Sequence, residues 1–122
     1  MVFLCVVLGG AAGAVARYAL GGWVQARRPE FPWGTLVINV TGAFALGLLL
    51  PLVEAHPLVR ALLGTGFLGA YTTFSTFSYE AAVLVQERDW RGAAGYVLST
   101  VLVGLAASFL GWWVALSLLH AG

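Results

Sequence analysis

"GTGFLGAYTTFSTFSYE", Gly64 to Glu80, is the stretch on which the fold of this chain turns. It opens on three closely spaced glycines, Gly64, Gly66 and Gly69, and continues through hydroxyls at Tyr71, Thr72, Thr73, Ser75, Thr76 and Ser78. Phe74 and Phe77 sit among those hydroxyls, three residues apart. Glycine lowers helical preference and lets a helical span break. A broken span exposes carbonyls that can coordinate a cation, and half-helix N-termini present amides to an anion. Beyond such a break, Phe74 and Phe77 share one helical face, with Ser78 near it.

The chain around this stretch is overwhelmingly apolar. Of its 122 residues 61% are hydrophobic and only 9% charged, with a formal net charge of +1. A soluble domain carries about 25% charged residues, so eleven formal charges (six basic, five acidic) cannot coat this one. The solvent is lipid, and the length allows one domain, 1–122. All basic residues are arginine, and their number leaves no electrostatic footprint for nucleic acid. The single Cys5 excludes a disulfide framework and a cysteine metal site. His56 and His120 are isolated from each other and from any ligand spacing.

A bilayer core of about 30 Å takes roughly 20 helical residues. Segments of that length fall at approximately 2–22, 34–53, 59–85 and 92–118, giving an all-α membrane protein of four spans with the third one broken. The first segment, "MVFLCVVLGGAAGAVA", lacks the positive leader of a secretory signal and reads as a span. The polar breaks are "QARRPEFP" from Gln25, "EAHP" from Glu54 and "QERDW" from Gln86, short enough to make sequential helices antiparallel neighbours. Trp23, Trp33 and Trp90 then fall on one membrane face, with Trp112 and Trp113 near the other, as interfacial belts require. Arg27, Arg28, Arg88 and Arg91 lie on the Trp23 face and Arg60 on the other, so a positive-inside count puts both termini outside the cytoplasm.

Small residues recur at helical spacing: Gly9 and Gly13 in the first span, Ala43 and Gly47 in the second. In the fourth, Gly92, Tyr96, Thr100, Gly104 and Ser108 repeat every four residues. Close helix approach accounts for such stripes; alternatively, Tyr96 and Thr100 add polar groups to the wall of a pore. Asn39, deep in the second span, is either an interhelical hydrogen-bonding residue or a pore-lining donor. Arg17, near the end of the first span, is placed to brace helix ends or to draw anions into a vestibule. Glu80, one turn beyond Phe77, is expected near the aqueous edge.

An aromatic ring has a negative face and a positive edge. Rings turned edge-on attract an anion without a fixed charge, while Ser, Thr and Asn donors replace its water shell. Conduction needs sites that also release, which favours donor-rich, charge-poor walls. The plain alternative is that the rings pack and the hydroxyls bond back to carbonyls one turn earlier.

Taken together, "GGAAGAVARY", "GTLVINVTG" and "GTGFLGAYTTFSTFSYE", with "YVLSTVLVG" as a weaker match, resemble the CrcB/Fluc family of fluoride channels, in order and over nearly the whole chain. The resemblance implies a four-span subunit in an antiparallel, dual-topology dimer in the cell (inner or plasma) membrane, passing fluoride outward through two pores at the dimer interface. It implies that Phe74, Phe77 and Asn39 face the permeating ion and that Thr35, Tyr96, Thr100 and Ser78 belong to the same polar wall. Gly104 lacks a hydroxyl that some members have at the corresponding place. It also implies a structural sodium ion (Na+) on the dimer axis, held by the backbone carbonyls of Gly69 and Thr72. The partner implied is a second copy of the chain, or an oppositely oriented homologue given the arginine bias. Two other classes remain in view: a small four-span proton-coupled exporter, which needs a carboxylate within the membrane, and a membrane interaction protein that transports nothing. No nucleophile–base pair points to an enzyme.

Overall fold

The computed structural model describes residues 1–122, and their order is helical throughout, without a strand. Helices α1 (Val2–Arg27) and α2 (Trp33–Leu52) are joined by a loop tied down by Gln25. Its Nε2 donates to the Phe31 carbonyl at 2.9 Å, and its Oε1 accepts from Gly34 N at 3.0 Å. The third pass begins with a short turn, α3 (Pro57–Val59), with proline where its missing N–H costs nothing. It continues as a π-wound stretch over Arg60–Leu68, a last turn α4 (Gly69–Tyr71), and then α5 (Phe74–Gln86). A turn containing Arg88 at φ 59° leads into α6 (Trp90–Ala121), which Asp89 caps by accepting from Gly92 N at 2.9 Å.

Helices α1, α2 and α6 are each long and apolar enough to cross a membrane. The third pass is made in two halves, neither of them a helix of that length. At 1.5 Å per residue α6 is about 48 Å long, beyond the roughly 30 Å hydrocarbon core, so its ends reach the headgroup layers. The sequence boundaries hold within a few residues, except that α1 continues past residue 22 and carries Trp23 and Arg27 on its last turns. There the Arg27 guanidinium lies 3.9 Å from the centre of the Trp23 ring.

Two close backbone approaches assemble the subunit. Gly9 and Gly13 of α1 face the carbonyls of Leu62 and Phe67 in the π-wound stretch, where a Cβ would collide with backbone. On the other side, Gly47 of α2 meets the Ser108 carbonyl and Gly111 of α6 meets the Phe44 carbonyl. Gly9, Gly13 and Gly47 are therefore packing positions, whereas in the fourth-span stripe only Ser108 meets such an approach and Gly104 faces open space. Only 19 of 122 residues are buried, and Phe3, Leu98, Phe109 and Trp113 point outward, so the apolar surface is satisfied by lipid and not by an internal core.

The break in the third pass is not at the glycines. Gly64 and Gly66 lie inside the π-wound stretch, and Gly69 keeps helical angles, φ −62° and ψ −37°. At Gly66 the lack of a side chain serves proximity: it sits against the backbone of Val6 and Gly10. The chain opens at Thr72 (ψ 154°) and Thr73 (φ −145°, ψ 119°), where β-branched residues take readily to extended backbone.

Candidate functional site

The break exchanges helical hydrogen bonds for side-chain ones. Thr72 still belongs to the first half: its N–H and Oγ1 both donate to the Leu68 carbonyl, at 3.0 and 2.9 Å. Thr73 leaves the helix. Its N–H donates to Asn39 Oδ1 at 2.9 Å, and its carbonyl accepts from Asn39 Nδ2 at 3.0 Å. Thr73 Oγ1 then starts α5 by accepting from Thr76 N at 3.2 Å, an N-cap in the usual sense. Carbonyls at the break lose their helical donors as a result, those of Gly69 and Thr72 among them. Gly69 would accept from Thr73 N, and Thr72 from Thr76 N, and both of those amides bond elsewhere.

Two cavities meet at the break, and Thr73 lines both. The first, about 620 Å3, is lined by Asn39, Phe74, Phe77 and Thr100 together with Gly69 and Thr72, and no charged residue borders it. The second, about 740 Å3, holds Arg17, Thr35, Thr76 and Glu80. The residues singled out from sequence thus separate into a charge-free group around the rings and a charged group toward the Trp23 end.

Within the first group, the Phe74 and Phe77 centroids lie 6.0 Å apart, and Phe77 stacks obliquely on Tyr96 at 5.2 Å. Phe74 is 79% exposed, a bare ring in the middle of a membrane span. Tyr96 is wholly buried, and its hydroxyl and that of Thr100 have no hydrogen-bond partner within the chain. An unpaired buried hydroxyl costs about 1–3 kcal/mol; Thr100 lines the first cavity, whereas Tyr96 is enclosed by the chain and lines neither cavity. Ser78 is different: its Oγ donates to the Phe74 carbonyl at 2.9 Å and must rotate away to serve anything else.

In the second group, Thr35 Oγ1 donates to Glu80 Oε1, tying α2 to α5. Glu80 is half-buried and held against a neighbouring helix, deeper than its place in the sequence implies. Arg17 makes no hydrogen bond or ion pair within the subunit, so it does not brace helix ends there. It borders the cavity with its guanidinium uncommitted.

Sequence reasoning passed over Thr73 and Thr76, the residues that build the start of α5, and Ser108, which lines the first cavity beside Gly104. A threonine followed three residues later by another hydroxyl, just ahead of "FSYEAAVLV", is a helix-start signal and marks the former pair.

A family model described as "CrcB-like protein, Camphor Resistance (CrcB)" matches residues 4–112. The chain is similar to "Fluoride-specific ion channel FluC 1" of Leifsonia xyli subsp. xyli, 48% identical over 118 residues, which span 93% of this chain and 86% of that one. It is 46% identical over 121 residues to "Fluoride-specific ion channel FluC 2" of Moorella thermoacetica, covering 97% and 99% of the two chains. With "Fluoride-specific ion channel FluC" of Acidobacterium capsulatum it shares 47% identity over 116 residues, 91% and 93% of the two.

Proposed function

This chain belongs to the CrcB-like family, and from that membership we infer that it is a fluoride-specific ion channel and not an enzyme. The observation that carries the reading is identity of 46–48% to channels so named, running through both halves of the broken span and the cavity between them. The charge-free wall of that cavity supports it. Fluoride is small and strongly hydrated, so its water shell must be replaced by donors that do not hold it too tightly. Asn39 and Thr100 supply N–H and O–H groups, and Phe74 and Phe77 supply ring edges, with Tyr96 packed behind Phe77. Thr35 and Ser78 extend the polar wall, Ser78 after rotation. Arg17 concentrates anions at the entrance, and Glu80 keeps Thr35 aligned there. Flow is passive, outward from a cell that has accumulated fluoride.

The finer arrangement is also a proposal. The bare ring of Phe74 and the unpartnered hydroxyl of Thr100 call for a second subunit across the first cavity, and an antiparallel homodimer in the cell membrane supplies it with two pores. An oppositely oriented homologue is the alternative partner. The freed carbonyls of Gly69 and Thr72 are hard, neutral oxygens directed away from any helical donor, a donor set that fits a sodium ion. Two such pairs, one from each subunit, would hold it. Bound there, the ion supplies no chemistry on fluoride and serves as an electrostatic pin between the breaks.

Efflux from liposomes containing the purified protein tests the function. Fluoride leaves at a rate proportional to protein content, while chloride stays at the protein-free background. Equal release of both ions, or none of either, would refute the reading.

A further inference from the structure

We propose that Asn39 is the positioning residue of the break: its side chain, not the threonines or glycines of the third pass, keeps Gly69 and Thr72 from closing back into a helix. Both ends of the amide are spent on one residue of another pass. Oδ1 takes the Thr73 N–H that would otherwise return to the Gly69 carbonyl, and Nδ2 takes the Thr73 carbonyl. This is a two-point clamp on a single peptide unit, made across 34 residues of sequence.

Removing the clamp leaves Thr73 N–H and C=O without partners in a lipid-surrounded protein. The cheapest repair is local, since Thr73 N is one rotation away from Gly69 O and every residue from Arg60 to Tyr71 is already helical. Annealing would close the Gly69 carbonyl and turn Phe74 with the first turn of α5. Asn39 also lines the first cavity, and one of its two amide hydrogens is not used by Thr73. A single side chain therefore joins the freed carbonyls to the wall of the pore.

The cation half of this inference rests on the sodium site proposed above; the clamp itself rests on the hydrogen bonds to Thr73. Two readouts keep them apart. In threonine-labelled protein, the 13C Cα and Cβ shifts of Thr72 and Thr73 report extended or helical backbone. Thermal stability measured in sodium chloride against choline chloride reports cation binding.

Asn39→Leu, which keeps the branching and heavy-atom count without the amide, is expected to move both threonine signals to helical values and to raise the sodium concentration for half-maximal stabilisation at least tenfold. Thr100→Val, in the same cavity but away from the break, should leave both readouts unchanged. If Asn39→Leu does not assemble, Asn39→Ser, too short to span both groups, is read in the same way. Extended threonine shifts retained without the asparagine would overturn the proposal, as would equal changes in Thr100→Val. If stability ignores sodium in the wild-type protein as well, the sodium site fails, and the threonine shifts alone decide the clamp.

Discussion

Replacing Phe74 or Phe77 with isoleucine separates what each ring does for the fold from what it does for an ion. Isoleucine keeps bulk and apolarity but has no positive edge. Phe77 meets two other rings, Phe74 at 6.0 Å and Tyr96 at 5.2 Å. Each aromatic pair is worth about 0.5–1.5 kcal/mol beyond its buried area, so Phe77→Ile costs roughly 1–3 kcal/mol of subunit stability. Phe74 meets Phe77 alone and is 79% exposed in the subunit, so Phe74→Ile costs no more than about 1.5 kcal/mol. The effect on flux follows a different order. If each ring edge contributes about 1 kcal/mol to the passing anion, loss of either slows fluoride roughly fivefold. Thermal unfolding in detergent and fluoride efflux from liposomes, on the same preparations, give the two quantities. The two variants should differ in stability and resemble each other in flux. Flux that falls only in Phe77→Ile, in step with stability, would refute the ring-edge argument and leave both rings as packing.

Gly47→Val and Gly111→Val set a side chain against the backbone carbonyls of Ser108 and Phe44, and backbone cannot yield as a side chain does. Each should cost upward of about 2 kcal/mol and broaden the size-exclusion peak, whereas Gly104→Ser, with nothing within 4 Å, should keep the wild-type profile. Thr72→Ser should retain sodium-dependent stability in the same melting assay, because the proposed ligand is a carbonyl and the serine hydroxyl can still reach Leu68 O; loss of the sodium response would transfer the ligand role to the side chain. For orientation, Glu30→Cys and His56→Cys in a Cys5→Ala background avoid Gln25, whose side chain holds the α1–α2 loop. Labelling of both positions from outside intact cells is expected for dual insertion; labelling of one alone would replace the homodimer with an oppositely oriented partner.

The spans were legible because lipid imposes length and apolarity at once: "LVINVTGAFALGLLLPL" has no other use, and the tryptophans mark its neighbours' ends. The helix seams were legible for a similar reason, since Gly9 and Gly13 at four-residue spacing bring backbones together wherever they occur. The exact site of the break was not. Glycine reads as a weak point in isolation, yet Gly64, Gly66 and Gly69 stay helical, Gly66 packed against the backbone of α1. Thr73 departs instead, drawn out by an asparagine on another pass, and no local pattern encodes a bond between residues 34 apart. The same holds for Thr35 with Glu80. Which polar residues are already paired, as Ser78 is and Thr100 is not, depends on contacts that only the folded chain fixes.

The π-wound stretch has a consequence for how this chain tolerates change in length. Its N–H groups reach five residues back, as Gly69 N does to Gly64 O. Taking about 4.4 residues per turn against 3.6, nine residues so wound turn the chain roughly 160° less than an α-helix would. That lag sets the rotational phase at which Tyr71 meets Thr41, 2.8 Å between their hydroxyls, and at which Thr73 faces Asn39. Deleting one residue between Arg60 and Leu68 invites the stretch to rewind and delivers Thr72 and Thr73 to the wrong side of the bundle. Apart from Gly66, which α1 holds to the size of a hydrogen, what the stretch fixes is the number of residues, as the tooth count of a gear is fixed by what it must mesh with.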